Sequence, residues 1–198
     1  MSARRLLLLG PPGVGKGTQA MRLAQELAVP QISTGDMLRD AVARESEVGK
    51  SAKIAMDRGE LVADEIVIGV ARERLTQNDA SEGFILDGFP RTQEQARALD
   101  EMLGHLGTPL ERCVAITADE GVLVERLLER AKIEGRSDDN ESTIRNRMKV
   151  YHDETAPLAS YYSNQGLLRD VDGTGSIEDV AGRIQGALQR GLEESEFG

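Results

Sequence analysis

The chain holds one cysteine, Cys113, no tryptophan, and only three Phe and three Tyr among 198 residues. A single thiol excludes an internal disulfide. Cys113 lies in a Cys-Val-Ala-Ile run that reads as a buried strand, so an inert core thiol is expected rather than a nucleophile. Two histidines and that cysteine offer no structural zinc site. Aromatic platforms for stacking bases are scarce, and no apolar run approaches the ~20 residues of a membrane-spanning helix. Positive charge is also in deficit. A net charge of −10 argues against a nonspecific nucleic-acid or anionic-membrane surface, so neither partner is expected. The cations that are present comprise 19 Arg against 5 Lys. The planar fork of Arg matches phosphate bidentately, although biased genomic composition produces the same skew.

The length suits one domain with room for small inserted lobes. With 39% hydrophobic residues the chain can bury a core. Two arginines precede Leu6 to Leu9, a faint likeness to a signal peptide. Four leucines ending in Gly10 are too short for its apolar region, so a cytoplasmic protein is expected.

Those leucines run directly into Gly10-Pro-Pro-Gly-Val-Gly-Lys-Gly-Thr18. A strand that ends in such a loop and opens a helix places backbone N–H groups around a phosphate chain. Gly10, Gly13, Gly15 and Gly17 lack a Cβ, so the backbone can turn tightly and approach an anion. Lys16 supplies a compact positive charge for the β- and γ-phosphates. The spacing is that of a P-loop, with Gly17 where Ser or Thr is usual and Thr18 one residue later. A ligand-free strand–helix turn is the alternative, and placement straight after a strand favours the nucleotide.

Strand-like and helix-like segments alternate along the chain, which predicts a parallel sheet covered on both faces. Strands are expected at 5–9, 31–33, 84–87, 113–116 and 167–171. The first helix is expected from Lys16 to Leu27, with Met21, Leu23, Ala24 and Leu27 inward. The last opens on a Ser176/Asp179 capping box and turns Ile177, Val180, Ile184 and Leu188 to the core. Two stretches fit no plain crossover. Residues 34–62 hold two helical patterns parted around Val48-Gly49, and residues 131–140 form a short polar segment. Both are expected over the C-terminal edge of the sheet, where open α/β folds bind ligands.

Phe84-Ile-Leu-Asp87 ends a strand on an acid that would emerge beside the P-loop and hold magnesium through water. A helix cap is the plainer role for such an aspartate, and the P-loop tips the reading to the metal. Gly88-Phe89-Pro90-Arg91 then forms a turn that aims Arg91 at an anionic second substrate. Ile32-Ser33-Thr34-Gly35-Asp36-Met37-Leu38-Arg39 is a parallel case, with Thr34 or Asp36 as a simple N-cap the alternative. Arg126 and Arg130 stand four apart on one helix face and can reach one ligand.

With 10–18, 32–39 and 86–92 in order, followed by Gly135-Arg136-Ser137-Asp138-Asp139-Asn140, Tyr151-His152 and Val171-Asp172-Gly173-Thr174, the chain resembles the adenylate kinases among nucleoside monophosphate kinases. The likeness covers nearly its whole length. It implies an α/β P-loop three-layer fold with a five-stranded parallel sheet, a helical monophosphate-binding lobe at 33–62 and a short lid at 131–140. The core would comprise 1–32, 63–130 and 141–198. On AMP the resemblance implies Thr34, Arg39, Glu60, Leu61, Val62, Gly88, Phe89, Pro90, Arg91, Gln95, Arg136 and Arg147. On ATP it implies Gly13, Val14, Gly15, Lys16, Gly17, Thr18, Arg126, Arg130 and the Gly175 carbonyl. Lys16, Arg91, Arg130, Arg136 and Arg147 would surround the moving phosphoryl group, with Mg2+ on ATP and Asp87 near it. Longer-lidded members often carry a cysteine cluster around zinc. Here the lid is short and has no cysteine, so no structural metal is expected, and Arg136, Asp138 and Asp139 would carry its role.

The implied reaction is MgATP + AMP ⇌ 2 ADP by a monomer. A UMP/CMP kinase on the same scaffold is the near alternative, since base choice rests on few contacts. A nucleotide-dependent binding switch is the alternative of another class, and two separate arginine-bearing stretches argue against it.

Overall fold

Four leucines in succession fit a strand only where both faces of the sheet are covered. That is the position of β1 (Arg5–Leu9), the middle strand of a five-stranded, all-parallel sheet. The computed structural model describes residues 3–134 and 140–193. The other strands are β2 (Gln31–Ser33), β3 (Phe84–Asp87), β4 (Arg112–Thr117) and β5 (Leu168–Asp172), in the spatial order β2-β3-β1-β4-β5. Around them run α1 (Lys16–Leu27), α2 (Thr34–Ala43), α3 (Glu47–Asp57), α4 (Asp64–Leu75), α5 (Gln93–Leu106), α6 (Glu120–Glu134), α7 (Glu141–Val150), α8 (Leu158–Ser163) and α9 (Ile177–Glu193).

The pleat sorts the strand residues into two cores. Leu7, Leu9, Phe84, Leu86 and Cys113 face one side, under α4, α5 and α8. Leu6, Leu8, Ile85, Val114 and Ile116 face the other, under α1, α6 and α9. Helix, sheet and helix form the expected three layers. Strands β1 to β3 have their expected limits, β4 is one residue longer at each end, and β5 sits one residue later. Cys113 is fully buried, and loss of water pushes its thiol pKa up.

Register fixes where the chemistry collects. Leu8 of β1 pairs with Asp87 of β3, so both strands finish together at the C-terminal edge. The chain then leaves β1 through Gly10, where a Cβ would stand 2.4 Å from the carbonyl oxygen of Ile116. Only glycine passes that point. At the other end of the chain, Ser176 Oγ accepts from the Asp179 N–H at 3.1 Å and Asp179 Oδ2 accepts from the Ser176 N–H at 3.0 Å, a reciprocal capping box opening α9.

Four expectations need correction. Residues 131–134, expected in the short polar segment, continue α6 to Glu134. The helices of 34–62 part at Arg44 to Ser46, not around Val48-Gly49. Ser46 caps α3 by accepting from the Gly49 N–H at 3.0 Å, and Gly49 lies inside α3 because its bare face lets the α2 backbone pass against it. Met21 and Ile177 were expected inward, yet they are 50% and 49% exposed. Met21 stands on the wall of a cleft rather than on the sheet, and Ile177 is the first residue of α9, ahead of the packed turns.

Among the described residues the buried polar atoms with no hydrogen-bond partner include Gln19 Oε1 and the Tyr162 hydroxyl. Tyr162 on α8 is wholly buried, and its hydroxyl has no hydrogen-bond partner among the described residues, whereas the adjacent Tyr161 donates to Asp100 Oδ2 at 2.7 Å. A buried, unpaired hydroxyl costs ~1–3 kcal/mol. Tyr162→Phe keeps the ring and removes that cost. It should raise stability by about 1 kcal/mol in urea unfolding, and a lower midpoint at unchanged slope would count against it. No helix among the described residues is long and apolar enough to cross a membrane.

Candidate active site

At the C-terminal edge of the sheet a cavity of about 610 Å³ opens between the P-loop, the start of α2, the end of α3, and α6 and α7. A second cavity of about 230 Å³ lies beside it under the 173–177 turn, and the two share Gly13, Gly15, Thr18 and Arg126. Among the described residues five polar side chains are buried. Four of them, Gln19, Thr34, Gln95 and Thr155, border these cavities. Burying polar groups costs stability unless they are bonded, so their concentration here marks a built site.

Gly15, in the left-handed region at φ 95°, turns the loop into α1, whose first residue is Lys16. The Lys16 ammonium folds back over the loop and donates to the carbonyls of Gly10 at 2.7 Å and Pro11 at 2.9 Å. Its pKa is lowered to about 8, chiefly because the cleft strips it of water, with Asp87 opposing and Arg91, Arg147 and Arg130 adding to the fall. Those three arginines are thus close enough for their charges to be felt at Lys16. Cations gathered this way suit an anionic ligand.

Arg91 is set by a network rather than by its turn alone. Its Nε donates to the Gly88 carbonyl at 2.8 Å, its N–H to Gln95 Oε1 at 2.8 Å, and its carbonyl accepts from Thr155 Oγ1 at 2.8 Å. Thr34 Oγ1 donates to the same Gly88 carbonyl at 2.9 Å. It is free to do so because Ser33, not Thr34 or Asp36, caps α2, accepting from the Asp36 N–H at 3.3 Å. Arg39 pairs with Asp36. Arg39 Nη2 and Arg91 Nη2 come within 3.2 and 3.6 Å of the point a Cβ on Gly35 would occupy, so both guanidiniums converge on the first turn of α2. Two guanidiniums beside a helix N-terminus are chemically able to hold an oxyanion.

Gln95 is 1% exposed, and its amide spans two partners, Oε1 on Arg91 and Nε2 on Asp64 Oδ1 at 2.6 Å. Asp64 also accepts from Thr92 Oγ1 at 3.0 Å. Sequence reasoning overlooked Asp64 and Thr155. An acid in the first turn of α4 reads as a partner for the helix dipole, and a lone threonine carries no signal.

The large cavity is lined by the expected Gly13, Gly15, Lys16, Gly17, Thr18, Thr34, Arg39, Glu60, Leu61, Val62, Asp87, Gly88, Pro90, Arg91, Gln95, Arg126, Arg130 and Arg147. Val14 and Gly175 border the smaller one. Phe89 is the exception, for it lies on neither wall and is wholly buried in the core with α5, because the turn at 88–91 needs an apolar anchor beneath it. Arg136, Asp138 and Asp139 lie outside the described residues.

Asp87 is the acid on the P-loop side. Its Oδ2 lies 3.5 Å from the point a Cβ on Gly17 would occupy and accepts from Gln31 Nε2 at 3.4 Å. Among the described residues no group of three or more His, Cys, Asp or Glu is placed to hold a metal. One carboxylate in a polar cleft suits a magnesium ion that arrives on phosphates and keeps its water, rather than an all-protein cage.

The family model described as adenylate kinase matches residues 8–167. The chain belongs to the adenylate kinase family. Its relatives agree along their whole length. An adenylate kinase of Thermobifida fusca is 51% identical over 185 residues, covering 93% of this chain and 98% of that protein. One from Xanthomonas euvesicatoria is 52% identical over 186 residues, covering 94% and 100%. One from Stenotrophomonas maltophilia is 49% identical over 185 residues, covering 93% and 99%. As in the family name, this is the scaffold of a nucleotide-binding phosphotransferase. The adenylate kinase cleft described above has its cations on the P-loop, α2, the 88–91 turn, α6 and α7.

Proposed function

We propose that the chain catalyses MgATP + AMP ⇌ 2 ADP. The convergence of Lys16, Arg91, Arg130 and Arg147 around one cleft, at the C-terminal edge where a P-loop ends, carries this reading. ATP would lie along the P-loop with its base in the smaller cavity, Arg126 stacked on it and Gly175 at its edge. AMP would lie in the helical part, residues 33–62, its phosphate on Arg39 and Arg91. Its base would then sit among Glu60, Leu61, Val62 and Gln95. The short lid at 131–140, with Arg136, would close over the phosphates.

An AMP phosphate oxygen attacks the γ-phosphorus in line, and the bond from that phosphorus to the β–γ bridging oxygen breaks, leaving ADP on each side. Charge spreads over the equatorial oxygens, so neutralisation and placement matter more than covalent chemistry. Lys16 and the arginines supply that charge. Asp87 would hold, through water, the magnesium that comes with ATP, which would supply further neutralisation of the phosphate charge. Water is the rival acceptor, and closure of the cleft excludes it. The enzyme would act as a cytoplasmic monomer.

Arg91→Ala leaves the AMP phosphate without its braced partner. It should lower kcat/KM for AMP about 10²-fold, near 3 kcal/mol, in a coupled ADP assay. Turnover within threefold of the unmutated chain would remove Arg91 from this role. The reaction itself is tested by offering MgATP with AMP, CMP, UMP or GMP and with no acceptor. ADP formation strongly preferring AMP is expected. Preference for CMP or UMP would make the chain a pyrimidine monophosphate kinase, and ATP binding without transfer to any monophosphate would make it a switch.

A further inference from the structure

The turn between β5 and α9 is held from outside by a residue with no place in the reaction above. Arg183, on the second turn of α9, donates through Nη1 to the carbonyl of Asp172 at 2.8 Å and to that of Thr174, and lies 3.7 Å from Asp172 Oδ2. The carbonyl between them, Gly173, turns the other way, where Arg126 Nη1 approaches it at 3.5 Å. Successive carbonyls are thereby sorted to opposite sides of the turn. Asp172 adds two bonds, accepting from the Thr174 N–H at 3.0 Å and from its hydroxyl at 2.8 Å. The Gly173 N–H is tied to the Thr117 carbonyl at 2.7 Å. Gly173, Gly175 and Ser176 of this turn form one wall of the smaller cavity, opposite Val14 and Gly15 of the P-loop.

A short turn rich in glycine has little stiffness of its own. To the Asp172–Thr174 and Gly173–Thr117 bonds the guanidinium adds two donated bonds to carbonyls and one ion pair, more than an exposed arginine needs for solubility. Since Arg183 sits outside the cavity, it reaches the ligand only through the backbone it holds.

We propose that Arg183 is a positioning residue for donor-base selectivity, fixing the 173–176 turn so that the Gly175 carbonyl meets the exocyclic amine of the ATP base. This rests on the reading that the smaller cavity takes that base. A fixed carbonyl accepts from an amine but opposes another oxygen, and a site built on such a bond rejects the mismatched partner strongly. A loosened turn lets the carbonyl yield, and the discrimination falls.

ATP and ITP test this, because they differ only at the base, where ITP carries an oxygen in place of the amine. Steady-state kinetics with AMP as acceptor should show the unmutated chain preferring ATP. Arg183→Ala should raise KM for ATP about tenfold and lower the ATP/ITP ratio of kcat/KM by a similar factor. KM for AMP and kcat should stay within twofold. Arg183→Lys, which keeps charge and one donated bond, should fall between. A merely structural role would change both substrates' KM together and leave the ATP/ITP ratio alone. Discrimination that survives intact in Arg183→Ala overturns the role of Arg183 while leaving the base site in place. Equal use of ATP and ITP by the unmutated chain overturns the base-site reading and the proposal with it.

Discussion

Lys16→Met should lower kcat about 10²- to 10³-fold, the usual loss when one donor that neutralises transition-state charge is removed. The methionine keeps most of the side chain's length, so the cleft stays largely filled while the charge and its two donated bonds go. In the free enzyme the ammonium is engaged with the Gly10 and Pro11 carbonyls, and withdrawal from water has lowered its pKa to about 8. Triphosphate binding brings a strong anion to it and draws the pKa back up. Nucleotide binding at pH 9 should therefore take up a proton, measured by calorimetry in two buffers of different ionisation enthalpy, and Lys16→Met should take up none. Stability follows the same shift. The folded pKa lies below the unfolded value of 10.5, so between about 8 and 10.5 the unfolded chain binds more protons. The cost of burying the cation is full below pH 8 and fades as pH rises through that window. Proton uptake that persists in the methionine variant would assign the titration to another group.

Gly49→Ala should be the most damaging single methyl in the helical part of the chain. An added Cβ would stand 2.0 Å from the carbonyl oxygen of Ala41, 2.3 Å from its carbon and 2.6 Å from the nitrogen of Val42. All three are backbone atoms of α2, so no rotamer change relieves the clash. Two effects compete. Alanine in mid-helix gains ~0.5–1 kcal/mol over glycine, whereas forcing extra volume into a close-packed contact costs ~1–3 kcal/mol and sometimes more. The clash wins, and a net loss of about 2 kcal/mol or more is expected in urea unfolding. Because α2 and α3 carry Arg39 and the approach to Glu60, KM for AMP should rise while KM for ATP holds. Gly69→Ala in α4 is the matched control, for a Cβ there meets nothing within 4 Å. It should stabilise by ~0.5–1 kcal/mol. Equal stability of the two alanine variants would show that the helices separate without cost.

Several parts of this structure were legible because their causes are local. The strand before the P-loop, the start of α1 at Lys16, the limits of β2 and β3 and the Ser176/Asp179 capping box all depend on residues a few positions apart. The lining of the cleft was legible for a related reason. The P-loop, Arg91 and the Arg126/Arg130 pair could be read from the residues themselves. Glu60, Leu61, Val62, Arg147 and Gly175 were instead expected from the resemblance to the adenylate kinases, and both sets stand on the cavity walls.

Where the chain misled, a contact from outside the segment decided. Gly49 looked like a helix break because glycine has poor helix propensity, yet α2 packs against its bare face and the break falls at Arg44 to Ser46. The cap that Thr34 or Asp36 offered as an alternative falls to Ser33, which leaves Thr34 to reach Gly88, 54 residues away. Phe89 sat within a site motif and proved to be the buried anchor of its turn. Asp64 acts through Gln95, 31 residues on, and Thr155 through Arg91, 64 residues back. The sequence by itself determined the α/β class, the nucleotide loop and the arginines that collect at one edge of the sheet, since periodicity, turn chemistry and charge are written in neighbouring residues. Only the tertiary structure decided which polar side chains brace that edge and which glycine joins two helices. Both depend on partners that come together when distant strands pair and fix the distances between their ends.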